Sequence, residues 1–387
     1  MTSPVERVRE VIAASGLSQG AFAEAVGLDA SKLSKSLSGV RGFSSLDYAR
    51  IAEFCDVTVD WLLTGQETQF EVAARAAAGR APADALAEAE RIMELRWIAG
   101  KLDRPQPLDS FVLREREARR LGRLDAANVT RTTRDLQRAR WGAVNEGAAL
   151  AARATAHITA RGRSAADQDL AGLIEEAFGI DVVITPLGDG FDGLSATTDG
   201  VAVIFAAPTA IWARQRFTIA HELGHILADD RQDLHLDPVI DDAAIGADPT
   251  EARANAFAAA FLMPEAQLRA RVRRGFGKVD FAALAIELGV SPRALGIRLE
   301  QFRMIDKMAR DEWGSMSMKD AARIADKSAE VAARGAASAA PRSPGLLGRD
   351  LLSAYMDGRT TLLPYAGLLG VDADELYDSF ESSSDEG

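Results

Sequence analysis

The chain has 387 residues, 47% of them hydrophobic and 26% charged, with a formal net charge of −12. That length accommodates two or three soluble domains, and the acidic balance excludes a general polyanion binder, so any nucleic-acid contact has to be local. A single cysteine, Cys55, excludes an internal disulfide and fits a reducing cytoplasm; no apolar run reaches a membrane span, and Glu6, Arg7, Arg9 and Glu10 interrupt any signal-peptide core.

Residues 4–65 read as a compact helical unit. Val5, Val8, Val11 and Ile12 give the first helix an apolar stripe that ends at Gly16. A short helix follows from Leu17-Ser18-Gln19, closes at Gly27, and a second opens at Leu28-Asp29, which makes the pair a helix-turn-helix candidate. A fourth helix carries Leu46, Ala49, Ile51, Ala52 and Phe54, before Val57-Thr58-Val59-Asp60-Trp61-Leu62-Leu63. The residues Leu17-Ser18-Gln19, Phe22-Ala23, Val26-Gly27-Leu28, Lys32-Leu33-Ser34-Lys35 and Asp60-Trp61-Leu62-Leu63 resemble a lambda-repressor/Cro-type DNA-binding domain. The resemblance implies duplex DNA as partner, with Gln19 on the backbone and the helix bearing Ser31, Lys32 and Lys35 in the major groove. Six basic residues face eight acidic ones here, a local charge of −2, so reuse of the fold for protein contacts is the competing reading.

Residues 67–143 read as a helical connector, with helices over Ala83–Ile98, Ser110–Leu121 and Thr130–Trp141. Arg114, Arg116, Arg119, Arg120, Arg123, Arg131, Arg134, Arg138 and Arg140 make it the most basic stretch, expected mainly as a solvated face.

Residues 144–306 carry the chemistry. A helix over Asp169–Ala177 leads to a strand at Ile180–Thr185, and a loop through Gly188, Gly190 and Gly193 leads to a hairpin, Leu194–Thr197 and Val201–Phe205, around Asp199-Gly200. An edge strand here suits binding of an extended peptide by strand addition. Then comes Phe217-Thr218-Ile219-Ala220-His221-Glu222-Leu223-Gly224-His225-Ile226-Leu227, an H-E-x-x-H run in a chain with four histidines. At i and i+4 on a helix His221 and His225 share one face and can reach one metal ion, one zinc in this motif, with Glu222 beside them as candidate general base. Arg231 occupies the place where a third histidine would complete the longer H-E-x-x-H-x-x-G-x-x-H pattern. Candidates for the third ligand are His235, Asp229, Asp230 and Glu251. Glu251 is preferred because it opens a helix whose Ala254, Phe257, Ala258 and Phe261 share its buried face, where an unpaired carboxylate is costly. Asn255, one turn on, is placed for a hydrogen bond to a ligand. No tyrosine lies between 144 and 306, which leaves His235 as the candidate oxyanion donor.

The run Arg216–His225, then Glu251-x-x-Ala254-Asn255-x-Phe257-Ala258, Leu262-Met263-Pro264 and Leu284–Ser291 with Leu295, Arg298 and Leu299, resembles the ImmA/IrrE family of metallopeptidases, including the 26-residue step from His225 to Glu251. The resemblance implies a zinc endopeptidase with His221, His225 and Glu251 as ligands and Glu222 as general base, cleaving a repressor or similar regulator in stress or mobile-element responses. The alternative is a transcription factor whose metallopeptidase-like domain is a non-proteolytic sensor. The expected fold is mainly α with a small β-sheet: an all-α helix-turn-helix domain at 1–66, the connector, an α+β zincin-like domain at 144–306, a helix and Ala/Ser/Pro-rich linker at 307–345, and a small helical segment with an acidic end at 346–387. A homodimer is a possible assembly. Gly370–Leu376 and Gly289–Leu295 echo Asp56–Leu62, which reads as recurrent helix-turn-helix vocabulary.

Overall fold

The computed structural model describes residues 3–38, 41–43, 45–55, 57, 61–62, 83–124, 133–188, 191–198, 200–230, 234–238 and 249–384. The described chain is mostly helical with one four-stranded sheet, and it divides into two units, residues 1–76 and 77–387.

In the first unit, α1 (Pro4–Ala14) starts on a capping box between Ser3 and Glu6, with Pro4 at the position where its missing N–H costs nothing. Ser18 caps α2 (Gln19–Ala25) and Asp29 caps α3 (Ala30–Leu37). Between them Gly27 takes the left-handed conformation at φ +65°, the turn that reverses the chain over one core. With α4 (Ser45–Cys55) these helices bury Val8, Val11, Phe22, Ala23, Leu33, Ile51 and Leu62. Buried Arg7 donates from Nε to the Leu62 carbonyl at 2.9 Å, tying the end of the unit to α1. Cys55 is half-buried and its thiol is pushed up by burial. Asp60 and Leu63 lie outside the described residues.

The second unit opens with α5 (Ala83–Lys101), α6 (Ser110–Leu124) and α7 (Thr133–Thr159). Then α8 (Leu170–Phe178) ends on left-handed Gly179 and feeds β1 (Asp181–Ile184), followed by the hairpin β2 (Phe191–Thr198) and β3 (Val201–Ala206). The helix α9 (Trp212–Ala228) crosses the sheet, β4 (Leu234–Pro238) follows it, and α10 (Pro249–Leu262) packs beside it. The sheet order is β1-β3-β2-β4, with β1 parallel to β3 and the other pairs antiparallel. Phe178, Ile204, Leu223, Phe257, Phe261 and Phe281 sit in the principal core between these layers.

Two expectations need correction. Gly193 is not in the loop; it lies within β2, at a register shift opposite β4. Residues 234–238, with no predicted element, form β4, whose Cα register pairs His235 with Ser195. The local signal is short: Leu234-His235-Leu236-Asp237 alternates apolar and polar, but the run stops at Pro238 and its partner lies some forty residues upstream.

After α10 come α11 (Glu265–Arg271), α12 (Lys278–Leu288), α13 (Pro292–Gln301), α14 (Lys307–Gly314) and α15 (Met318–Ile324). The chain continues through α16 (Ser328–Ser338), α17 (Gly345–Met356), α18 (Leu363–Leu369) and α19 (Ala373–Ser384). The stretch 332–345, linker-like in composition, runs through α16 and then pairs with the sheet: Arg342 bridges Ile184 and binds Glu175 through both guanidinium nitrogens, at 2.9 and 2.6 Å. Its alanines are helix formers, so composition alone misreads it. Farther on, Asp350 of α17 and buried Asp181 of β1 both accept from buried Arg96 of α5. Gln106 Nε2 and the Leu347 N–H complete the shell of Asp181, each at 3.1 Å. The connector helices α5 and α6 and the C-terminal helices are therefore built into the second unit. Among the described residues no helix is long and apolar enough to cross a membrane.

Candidate metal centre

Helix α9 is buried almost from end to end, because its apolar residues surround the polar trio on every side. Gly193 of β2 lies so close to it that an added Cβ would stand 2.3 Å from Thr218 Cγ2 and 3.1 Å from Glu222 Oε1. Gly224 on the opposite face admits the Phe257 ring, 3.0 Å from where a Cβ would be. Small residues above and below α9 thus let β2 and α10 close on the histidines.

The imidazoles of His221 and His225 meet edge to face, their Nε2 atoms 2.9 Å apart. Glu251, in the first turn of α10, places Oε2 at 3.3 Å from His221 Nε2 and Oε1 at 3.5 Å from His225 Nε2. Together the three form a group that can hold a metal ion, with one donor atom from each within 4.8 Å of the others. The histidine side chains are 1% and 2% exposed and Glu251 25%, so the carboxylate forms the open side. Two imidazoles and a carboxylate, converging under nearly dry walls, suit zinc in donor type and number. Glu222 is fully buried on the same helix and faces the β2 backbone at Gly193.

Of the other third-ligand candidates, Asp229 and Asp230 do not join this group. They fall where α9 ends, Asp229 being left-handed at φ 50°, and both stay buried against arginines rather than joining Glu251. Asp229 accepts from Arg116 of α6 at 3.1 Å. Asp230 Oδ2 stands 2.9 Å from His225 Nδ1, and its Oδ1 accepts from Arg253 of α10. In the sequence Asp230 is one of four candidates for the third ligand, with Glu251 preferred; only the turn at Asp229 shows that Asp230 reaches the far side of the His225 ring. Asn255 is half-buried one turn beyond Glu251, and its amide makes no hydrogen bond among the described residues. His235 is placed by its backbone in β4; its side chain lies outside the described residues.

Arginines brace the site. Arg216 on α9 is buried and donates to the carbonyls of Ala165, Asp167 and Gln168, with desolvation foremost, and Arg334 nearby, pulling its pKa down to about 10. Arg214 binds Asp192 at the start of β2. The connector's arginines are only partly a solvated face: Arg116 is buried, and Arg119 bonds Glu146 of α7 at 2.6 Å. Ser195 and Thr197 of β2 line a narrow cleft with His225, Ile226, Asp229 and Asp230.

On the first unit Gln19, Ser31, Lys32 and Lys35 are all exposed. The arginines there are engaged: Arg9 and Arg50 donate to the carbonyls of Leu37 and Gly27, and Arg41 pairs with Asp47. Lys32 and Lys35 keep their ammonium groups outward on α3, with no ion pair among the described residues.

Residues 175–300, which contain the whole ligand group, match the family model described as IrrE N-terminal-like domain, Peptidase M78. Comparison of the chain with curated proteins finds no match.

Proposed function

We propose that the chain is a zinc-dependent endopeptidase that acts on a protein regulator, such as a transcriptional repressor, and that its first unit binds duplex DNA. The observation that carries the reading is the convergence of His221, His225 and Glu251 from two helices, with Glu222 buried one residue from the first ligand. Bound zinc would supply Lewis acidity toward a peptide carbonyl and toward water. His221, His225 and Glu251 would hold it. Glu222, kept in place by β2 at Gly193, takes the proton of the attacking water and delivers it to the leaving amine. The family match over 175–300 supports the peptidase reading, and the exposed Lys32 and Lys35 on α3 support the DNA contact.

Near-complete burial of both histidine side chains also suits a site that senses metal or partner without cutting, the second reading. Glu222→Gln separates the two. It keeps shape and removes the proton acceptor, so zinc and fold should be retained while cleavage falls by about 10²–10⁴-fold. Comparison of protein fragments in cells carrying the wild type or this variant reads the outcome. Equal fragment patterns with regulation intact would leave the sensor.

A further inference from the structure

A line of side chains runs outward from His225 that the ligand set does not use. His225 Nε2 points at the ligand group, 2.9 Å from His221 Nε2 and 3.5 Å from Glu251 Oε1. Its other nitrogen, Nδ1, stands 2.9 Å from Asp230 Oδ2. A carboxylate accepts and does not donate, so Nδ1 carries the hydrogen and Nε2 is left with its lone pair toward the ligand group. Asp230 is itself held: its other oxygen accepts from Arg253, which lies on α10 two residues past Glu251 and is 3.8 Å from Glu146 of α7. The Asp230 side chain is 4% exposed and that of Arg253 11%, so the pair sits where water screens it weakly.

We propose that Asp230 is a positioning residue of the metal centre: it fixes the tautomer and ring plane of His225, and Arg253 fixes Asp230. The inference rests on the zinc reading above. Because Arg253 and Glu251 share α10, one helix supplies a ligand directly and steadies another through Asp230. Asp230 follows a helix end, where a free aspartate would turn to solvent; the Arg253 contact accounts for its inward place.

The test is zinc affinity of the purified full chain by competition with a chromophoric chelator, alongside melting of the metal-free protein. Asp230→Ala should weaken zinc binding by about 10–100-fold, the range for losing a partner that orients a metal-bound histidine. Asp230→Asn keeps an oxygen that can accept from Nδ1–H, so it should recover part of the loss. It is also the variant that carries the test if the alanine chain does not fold. Arg116→Gln removes only the side-chain pair with Asp229 and leaves the turn itself, closed by the Asp229 N–H on the His225 and Ile226 carbonyls, so it should lower melting while leaving zinc affinity unchanged. The visible spectrum of the cobalt-substituted protein should shift in Asp230→Asn and stay as in the wild type in Arg116→Gln. Wild-type affinity and an unshifted cobalt spectrum in Asp230→Asn would overturn the inference while the zinc reading stands. So would an Arg116→Gln loss equal to that of the Asp230 variants, which would make the effect a general loosening. No zinc bound by the wild type would remove the zinc reading itself, and this inference with it.

Discussion

Gly147 lies in the middle of α7, where α10 crosses it, and a Cβ added there would stand 2.2 Å from the Arg253 carbonyl oxygen and 3.1 Å from the Phe257 nitrogen. A carbon–oxygen approach is comfortable at about 3.3–3.6 Å, so Gly147→Ala leaves the helices roughly 1 Å too close. Both obstructing atoms are backbone, and no rotamer change can relieve them. Overpacking of this kind costs about 1–3 kcal/mol, against a gain of about 1 kcal/mol for replacing a mid-helix glycine by alanine. With rigid backbone on both sides the upper part of the range applies, and the net expectation is a loss of about 2 kcal/mol. The displacement falls on α10 beside Glu251, so zinc affinity should drop too. Denaturant unfolding of the metal-free chain and chelator competition read the two effects. Gly142→Ala on the same helix is the matched control, since nothing lies within 4 Å of its added Cβ. It should gain up to about 1 kcal/mol from propensity alone. If Gly147→Ala gained stability as Gly142→Ala does, the close crossing of α7 and α10 would be refuted.

Glu251→Ala should abolish stoichiometric zinc in metal analysis, and full occupancy would remove Glu251 from the ligand set. Chelation of the wild type should lower its melting temperature, since a ligand at a hundred times its dissociation constant contributes about 2.7 kcal/mol to the folded state. Lys32→Ala and Lys35→Ala should weaken binding of the first unit to duplex DNA and flatten its dependence on salt; retention of no promoter fragment even at low salt would turn the reading to protein contacts. Arg96→Met should destabilise by about 3–5 kcal/mol, because it strands a buried carboxylate. Burial already pushes the Asp181 carboxyl up, with Arg96 as the main counterweight. In the variant the folded state binds the proton more tightly than the unfolded chain. Its stability deficit should therefore be smallest at low pH and grow as pH rises from the usual carboxylate range to the raised value, a slope that unfolding at several pH values would show.

The elements written in local chemistry were legible. The i, i+4 histidines predicted a helix that α9 supplies, the Asp199-Gly200 turn predicted the β2–β3 hairpin, and the helix expected over 169–177 is α8, which stops at left-handed Gly179. Glu251 was legible as a carboxylate on an apolar helical face, and it lies with His221 and His225 in the group that could hold a metal ion. What stayed hidden depends on residues far apart in sequence. β4 exists through its pairing with β2, and Gly193 belongs to a strand because it pairs with Ala206 of β3 and Asp237 of β4, while the closeness of α9 accounts for its lack of a side chain. The reach of Asp230 to His225 depends on the left-handed turn at Asp229, a conformation that an aspartate permits but does not announce. Arg96, Asp181 and Asp350 are unremarkable in their own neighbourhoods; their meeting is a property of the finished fold.

That meeting also sets an order of events at the ribosome. Domains fold as they emerge, N-terminal first, and the first unit holds its whole core within its own residues. The second unit cannot finish in the same way. Until Leu347 and Asp350 have been synthesised, Asp181 lacks one of its backbone donors and Arg96 lacks one of its two carboxylates. His221, His225 and Glu251 come out well before that point, so a nascent chain carries this group while the sheet beneath it still awaits its last electrostatic partners. Completion of the sheet layer is thereby tied to late translation: a chain cut short before α17 would carry His221, His225 and Glu251 and still lack two of the donors and acceptors around Asp181 and Arg96.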